Sequence, residues 1–321
     1  MSDIERTDRS RSLGDGADLP QLPLVSVVIN CFNGARFLPE ALNSVIAQTY
    51  SNWEVVFWDN QSTDASKDVF LGYGDTRFRY FRAEKHTGLG DARNLAVAEA
   101  KGEWIAFLDC DDYWLPEKLE RQVLAVGGEG ETIGLVYGLA TMFRQEDMGG
   151  TKSVIGEIPF GHAGDALPSG EIFSQLLMEN FVPLVSALIR KAAFTQCGGI
   201  PPGYRQAEDY ALFLSITKCW EAVALNRSLC CYRVHGGNIS HRQKRMGLEE
   251  SLRAVQEIAS GPERLRSSRR HSTALALFQI WEGEWRQGIR TLLRRGSLRD
   301  TLYFVRSLLR NKYSLLLNRN A

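Results

Sequence analysis

The sequence lacks any long apolar run. Its 321 residues contain no stretch that approaches the roughly 18 consecutive apolar residues needed by a membrane-spanning helix. The polar start, MSDIERTDRSRSLGDGADLP, has no apolar segment typical of a signal peptide. We therefore expect a cytoplasmic protein.

Cysteine is also scarce. None of the six cysteines forms a Cys-x-x-Cys pair or lies at zinc-finger spacing from a histidine, which argues against a structural zinc site and a disulfide framework. We expect reduced, mostly packed thiols. With 44% hydrophobic and 24% charged residues, the composition is that of a globular protein and excludes disordered or collagen-like chains.

The chain has no net charge, yet its charges are unevenly distributed. Residues 242–321 carry 17 Lys and Arg against 7 Asp and Glu, and residues 1–241 carry 21 against 31. The change falls near the Gly-rich, polar segment HGGNISHRQK, which is typical of a boundary between two units. The predicted organisation is a disordered tail (1–22), a main domain (23–240) and a basic helical region (241–321).

Strand and helix patterns alternate through the main domain. Apolar, β-branched runs predict strands at 24–30, 53–59, 77–82 and 103–109. Helical patterns lie between them, in LPEALNSVIAQ, NQSTDASKDVFLG and GLGDARNLAVAEAKG. This alternation predicts an α/β fold with a doubly wound, mostly parallel sheet flanked by helices.

Polar side chains follow these strands where the strands end. Asn33 follows the first strand, Asp59 ends the second and Asp109 ends the fourth. Ligands of such sheets bind outside the carboxyl ends of the strands. A lone Asp there is often only a helix cap. The tetrad DCDD, with Asp109, Asp111 and Asp112, has more carboxylates than capping needs.

Crowded carboxylates indicate a bound cation. Carboxylate oxygens suit Mg²⁺ or Mn²⁺ better than zinc. Mg²⁺ takes few protein ligands and completes its shell with water and phosphate oxygens, so the tetrad also favours a phosphorylated ligand. The glycine that an EF-hand requires at loop position six is absent, which argues against calcium sensing.

Three segments together resemble the family 2 glycosyltransferases: PLVSVVINCFNGARFLPEALNSVIAQTYSNWEVVFWDNQSTDAS, HTGLGDARNLAVAEAKGEWIAFLDCDDYWLPEKLE and AEDYALFLSI. The likeness covers roughly residues 23–240. It implies the GT-A fold of the nucleotide-diphospho-sugar transferases. It also implies metal-dependent transfer of a sugar, with inversion, from a UDP-sugar to a hydroxyl group.

The resemblance also assigns roles to individual residues. It implies that the nucleotide sugar is bound by Cys31, Phe32, Asn33, Asp59, Arg93, Asp109 and Asp111. The metal ligands would be Asp111, Asp109 and His235. Asp112 would either support these ligands without binding the metal or cap a helix. A simpler alternative makes Asp59 a helix cap and His235 a structural histidine. Arg233 and Ser240 are further candidates in the same segment as His235.

A base is the second requirement of such a reaction. Glu208 and Asp209 stand where an apolar helical pattern begins, and the resemblance makes Asp209 the general base with Glu208 supporting it. Acidic residues also open helices simply because of the helix dipole. Residues 141–180 read as a variable loop bordering the acceptor. The resemblance implies that residues 180–194 form the floor of the acceptor cleft.

The basic region lies outside the resemblance. Leu298, Leu302, Val305 and Leu309 share one helical face, and Arg299, Arg306 and Arg310 another. Such helices either pack on the main domain or make peripheral contact with anionic lipid. No nucleic-acid-binding motif accompanies the charge.

Two other functions share parts of this pattern. One is a sugar-phosphate nucleotidyltransferase, for which the loop NCFNGARF is a poor match. The other is a non-catalytic scaffold that binds a nucleotide sugar. The resemblance favours the transferase, acting on a glycan or lipid-linked acceptor in surface polysaccharide or lipopolysaccharide synthesis.

Overall fold

A computed structural model describes residues 22–127, 131–145, 150–158, 166–238 and 243–310. Ser240 and nearly all of the tail predicted to be disordered lie outside these ranges. The strands are β1 Val25–Cys31, β2 Trp53–Asp59, β3 Phe78–Arg82, β4 Trp104–Phe107, β5 Tyr113–Trp114, β6 Ile133–Gln145, β7 Lys152–Ile158, β8 Leu188–Arg190 and β9 Glu221–Arg233. The helices are α1 Leu38–Ile46, α2 Ser66–Leu71, α3 Leu89–Glu99, α4 Lys118–Val126, α5 Phe173–Leu176, α6 Lys191–Gln196, α7 Glu208–Thr217, α8 Lys244–Ile258, α9 Gly261–Trp281, α10 Trp285–Arg295 and α11 Leu298–Arg310.

One mixed sheet organises the described chain, in the order β3-β2-β1-β4-β8-β6-β9-β5, with β7 paired to β6. Strands β3, β2, β1 and β4 are mutually parallel. Every residue of β1 and β2 is buried, because helices cover both faces of this half. The predicted α/β class is confirmed, and the predicted strand 53–59 coincides with β2.

The other half of the sheet is mixed. Strand β8 pairs antiparallel with both β4 and β6, β6 runs parallel to β9, and β5 pairs antiparallel with β9. The prediction of a loop throughout 141–180 was wrong, because β6 extends to Gln145 and β7 pairs antiparallel with it. Strand β7 is largely exposed and lacks the apolar pattern by which a buried strand is recognised.

The C-terminal helices pack on the main domain through α7. In α8, the buried Glu250 carboxylate accepts backbone N–H groups from Arg205, Gln206 and Ala207, which lead into α7. In α9, His271 lies 3.2 Å from the Tyr210 hydroxyl of α7. Helix α8 therefore fixes the start of α7. None of the described helices is both long and apolar enough to cross a bilayer.

A buried lysine gives the fold a pH dependence that can be measured. Lys118 in α4 is 1% exposed, its Nζ donates to Gln122 Oε1 at 2.8 Å, and burial lowers its pKa to about 7. The unfolded chain binds this proton below its ordinary pKa near 10.5, whereas the folded chain binds it only below about 7. Folding stability is therefore expected to rise with pH across this interval.

We expect Lys118→Met to remove this contribution. Between about pH 7 and 9 the wild type should gain roughly 2 kcal/mol of unfolding free energy relative to the variant. Urea unfolding at the two pH values measures the difference, and other titrating groups cancel because both proteins contain them. Parallel pH profiles would show that Lys118 is solvated in the native state.

Candidate active site

The loop after β1 is held against the loop after β2. Asn33 has a positive φ of 56°, and its Oδ1 accepts the backbone N–H groups of Thr63 at 2.8 Å and Asp64 at 3.3 Å. Its own N–H donates to the Ser62 hydroxyl at 3.0 Å. Asn tolerates this left-handed conformation better than most residues. The two loops therefore form one rigid edge beside the carboxyl ends of the strands.

An exposed aromatic pair stands at this edge. Phe32 is 52% exposed, and its ring centroid lies 4.5 Å from that of His86. The His86 Nδ1 lies 2.9 Å from the carbonyl oxygen of Asn60, which fixes the imidazole. An exposed aromatic face of this kind can stack on a nucleobase.

Asp59 is fully buried at the end of β2. Its Oδ1 accepts the Ser62 N–H and its Oδ2 accepts the Tyr80 hydroxyl, both at 2.6 Å, and the Arg82 guanidinium is 3.8 Å away. Both carboxylate oxygens therefore have protein partners. The predicted role of Asp59 in binding the nucleotide stays a prediction.

Two thiols connect β1 to the acidic tetrad. The thiols of Cys31 and Cys110 lie side by side, and their interaction lowers the pKa of Cys31, whereas the same interaction and burial raise the pKa of Cys110. A Cβ atom on Gly34 would lie 2.5 Å from the Cys110 sulfur and 2.9 Å from the Cys31 sulfur. Glycine at 34 therefore lets the loop pass close to both thiols, which are free.

Arg93 joins the tetrad to the predicted base. Its side chain is 3% exposed, and its guanidinium donates to Asp109 Oδ1 and to Glu208 Oε1, both at 2.8 Å. Asp109 lies beyond β4, whereas Glu208 opens α7, so a single cation from α3 bridges two acidic groups. Burial acts to lower the pKa of Arg93, but the charges of Asp109 and Glu208 outweigh it and raise this pKa.

Two residues beside Arg93 bring α3 close to α7. A Cβ on Gly90 would lie 2.9 Å from Ile200 Cγ2 and 3.5 Å from Glu208 Cβ, which leaves room only for glycine. The Asn94 amide donates to the Ile200 carbonyl and accepts the Ile200 N–H, both at 2.9 Å. Asn94 belongs to the motif Ala-Arg-Asn, but its partner Ile200 is 106 residues away and could not be predicted from that motif.

Asp209 follows Glu208 in the first turn of α7. Desolvation, together with the charge of neighbouring Glu208, raises the pKa of Asp209 to about 7, although Arg93 and the Tyr210 N–H act in the opposite direction. A general base works best when its pKa lies near the working pH. Asp209 is therefore suited to taking a proton at neutral pH.

Asp111 and His235 form a second polar pair. Asp111 Oδ2 lies 2.9 Å from His235 Nε2, and each side chain is 26% exposed. The Asn238 side chain accepts the backbone N–H of His235, and the centroid of the Phe37 ring lies 5.1 Å from that of the imidazole. The structure therefore brings together two residues of the predicted metal set, while the third, Asp109, is 38% exposed and pairs with Arg93.

Arg233 is buried and holds the tetrad in place. Its Nε donates to the Asp111 carbonyl at 2.9 Å, and its backbone N–H donates to Asp112 Oδ1 at 2.8 Å. The guanidinium also contacts Glu40 and Gln145. Only 2% of its side chain is exposed, so Arg233 acts on the site through the tetrad, and its suggested place among the ligand-binding residues stays a prediction.

Asp112 turns away from the solvent. It is 2% exposed, and burial with the charges of Asp111 and Asp109 raises its pKa well above the ordinary value. Its bond to the β9 backbone shows that it joins the tetrad to β9. Of the two roles considered for Asp112, helix capping was wrong, because α4 begins after Glu117 and no side chain caps it.

Comparisons with known proteins give the family. The model of "Glycosyl transferase family 2" matches residues 26–148. TuaG of Bacillus subtilis, a putative teichuronic acid biosynthesis glycosyltransferase, is 30% identical over 222 residues, which are 68% of this chain and 82% of TuaG. The chain belongs to glycosyltransferase family 2. Another relative of this family 2 glycosyltransferase is Escherichia coli WfaP, a UDP-Glc:alpha-D-GlcNAc-diphosphoundecaprenol beta-1,3-glucosyltransferase, 31% identical over 222 residues (68% and 80% of the two chains).

Solved structures show the same fold. S. aureus TarS 1-349, in complex with UDP-GlcNAc, has a TM-score of 0.58 and 18% identity, covering 81% of this glycosyltransferase and 73% of that chain. The mannosyltransferase PcManGT of Pyrobaculum calidifontis, in complex with GDP-Man and Mn²⁺, has a TM-score of 0.62 and 17% identity. The match covers 91% of this glycosyltransferase and 81% of PcManGT. The expected GT-A-like architecture is confirmed.

The residues present fit a divalent cation that is shared with a ligand. Among the described residues, no group of three or more acidic, histidine or cysteine side chains is arranged to hold a metal. Asp111 and His235 offer an oxygen and a nitrogen donor at a partly exposed edge, while Asp109 is paired with Arg93. A cation bound there would need further oxygens from phosphate and water, as Mg²⁺ commonly does.

Proposed function

We propose that this glycosyltransferase transfers a hexosyl or N-acetylhexosaminyl group from a UDP-sugar to a hydroxyl group by single displacement with inversion. The observation that carries the proposal is the Arg93 bridge, which holds Asp109 and the Glu208–Asp209 pair at one site. Donor-binding and base chemistry are needed within one cleft, and a bridging guanidinium 2.8 Å from each side supplies that proximity.

The donor would lie along the carboxyl edge of the parallel strands. Phe32 stacks on the base, and Asp59 and Asn33 fix the loops around it. Cys31 lies beneath the same loop, where its thiol supports Gly34. Asp109 and Asp111 face the ribose, diphosphate and sugar, and Arg93 orients Asp109.

Asp209 would act as the general base. Its raised pKa lets it take the proton from the acceptor hydroxyl as that oxygen attacks the anomeric carbon. The negative charge of Glu208, which is paired with Arg93, helps to raise this pKa. Attack from the side opposite the departing UDP inverts the anomeric configuration.

Mn²⁺ or Mg²⁺, held by Asp111 and His235 with Asp109 beside them, would supply electrostatic stabilisation of the diphosphate as it departs. The partly exposed pair leaves room for phosphate oxygens. Arg233 holds the Asp111 backbone and so orients this pair.

The relatives favour a donor and a setting. WfaP and WfgD of Escherichia coli are named for UDP-Glc and a diphosphoundecaprenol-linked acceptor, and TuaG for teichuronic acid synthesis. We therefore propose a glycan or lipid-linked acceptor in the assembly of a surface polysaccharide, on the cytoplasmic side of the membrane, with no nucleic-acid partner.

A thermal-shift screen tests the proposal. UDP-glucose, UDP-GlcNAc, UDP and GDP-mannose would each be added with and without Mn²⁺. A ligand bound only by the folded state is expected to raise the melting temperature by about 3–6 °C near saturation. We expect the largest shift from a UDP-sugar, and only with Mn²⁺.

Asp111→Asn provides the control for the metal. This variant should retain the melting temperature of the unliganded wild type and lose the additional shift caused by Mn²⁺. If only GDP-mannose raises the melting temperature, the proposed donor is wrong but the proposed type of reaction still holds. If no nucleotide sugar changes the melting temperature with or without Mn²⁺, the proposed function is wrong.

A further inference from the structure

Helix α10 carries an exposed apolar stripe, defined by Trp285, Ile289 and Leu293. These side chains are 61%, 48% and 83% exposed. Their spacing of four residues places them on one helical face. Large apolar side chains that are contiguous and exposed are typical of an interaction surface.

The opposite face of α10 makes the contacts with the rest of the protein. Gly288 is buried, and a Cβ there would lie 2.5 Å from Ile280 Cγ1 and 2.7 Å from the Ala276 carbonyl of α9. The Thr291 hydroxyl donates to Gln279 Oε1 at 3.3 Å. The helix is therefore docked mainly by a different face, and the apolar stripe stays largely exposed beside that packing.

A row of arginines runs beside the apolar stripe. Arg286, Arg290 and Arg294 each follow one stripe residue, with the same spacing of four, and all three are exposed. Helix α10 contains no Asp or Glu. Within the described ranges, no ion pair involves this arginine row. The row is therefore available to anionic groups outside the protein.

The neighbouring elements repeat the pattern. Leu298 and Leu302 of α11 are 79% and 53% exposed, with the exposed Arg299 following the first. Trp281, at the end of α9, is 68% exposed. Trp side chains favour the boundary between acyl chains and headgroups, since the indole ring is apolar and its N–H is polar.

We propose that α10 and α11 dock on a membrane surface containing anionic lipid. The apolar stripe would enter the acyl boundary while the arginine row binds headgroup phosphates. Charge complementarity selects this partner, because residues 242–321 carry 17 basic against 7 acidic residues whereas the rest is acidic. A symmetric second copy fits less well, since it would bring two arginine rows together.

Vesicle co-sedimentation of the full chain tests this proposal. Vesicles of phosphatidylcholine with phosphatidylglycerol should bind the protein, and vesicles of phosphatidylcholine alone should not. Added salt should weaken the binding. Leu293→Ser should lower the partition coefficient roughly tenfold. The triple variant Arg286→Gln, Arg290→Gln, Arg294→Gln should lower it roughly 100-fold.

Two control variants carry the same kinds of substitution on other helices. Leu124→Ser alters a leucine that is 72% exposed on α4, and Arg264→Gln, Arg266→Gln, Arg269→Gln removes three exposed arginines from α9. Both controls should bind vesicles like the wild type. Equal losses in the controls and the test variants would overturn the proposal.

Other occupants of the stripe would give different results. A dimer in solution that Leu293→Ser abolishes, or a lowered melting temperature of Leu293→Ser, would mean that protein already covers the stripe. Equal binding to both kinds of vesicle would exclude headgroup recognition. Without vesicles, all variants should bind UDP-sugar equally, which separates this test from that of the proposed transfer reaction.

Discussion

Asp209→Asn is expected to lower the rate of UDP release from UDP-glucose or UDP-GlcNAc by about 10²–10⁴-fold, the usual contribution of a general base. The amide keeps the shape of the carboxylate but cannot take the proton. In the wild type the rate should rise as pH increases through about 7, where Asp209 ionises, and the variant should lose this dependence. A coupled assay that detects released UDP, run over a range of pH, measures both effects.

Asp68→Asn is the matched control. Asp68 is also an acidic residue in the first turn of a helix, but it is exposed and belongs to α2 rather than to α7, which carries the proposed base. This variant should retain wild-type activity. The Mn²⁺-dependent rise in melting temperature should persist in Asp209→Asn, because the proposed base binds neither the nucleotide sugar nor the metal. An active Asp209→Asn enzyme would place the base elsewhere.

Asp209→Asn should also stabilise the unliganded protein. The folded state holds the Asp209 proton up to about pH 7, whereas the unfolded chain releases it near 3.8, so ionisation at higher pH costs folding free energy. The neutral amide avoids that cost. A gain in stability together with a loss of activity would distinguish a catalytic effect from damage to the fold.

Arg93→Met is expected to have the largest effect on stability, lowering the free energy of unfolding by about 3–5 kcal/mol. The guanidinium is nearly completely buried between Asp109 and Glu208. Methionine has a similar length but leaves the buried Glu208 carboxylate without its cation. Urea unfolding at neutral pH measures the loss.

The double variant Arg93→Met, Glu208→Gln tests the cause. Removing the uncompensated charge should recover part of the lost stability, so the two substitutions should be strongly non-additive. A loss below about 1 kcal/mol, or strict additivity, would show that the bridge contributes little.

Local pattern was sufficient to predict the parallel half of the sheet. Strands β1, β2 and β4 are short and buried, β3 is short and partly exposed, and all four are separated by helices, so each can be recognised from its own residues. Strand β7 was missed because solvent covers most of it and apolar side chains are not required there. The tetrad was recognised for the same local reason, since three carboxylates in four positions are unusual.

The partners of the site residues could not be predicted in this way. Arg93 reaches Glu208 across 115 residues, and Arg233 reaches Glu40 across 193. Such contacts depend on strand order and register, which alternating elements leave open. The family resemblance brought Arg93 and Asp209 to notice, but it did not reveal that Arg233 is buried.

The place of β8 in the sheet has a consequence for synthesis on the ribosome. Strand β4 ends at Phe107, and its outer neighbour β8 begins only at Leu188. About 80 further residues must be translated first, which takes roughly 4–16 s at typical elongation rates. During that interval the nascent chain exposes an unpaired strand edge, the kind of surface on which chains aggregate and to which chaperones bind.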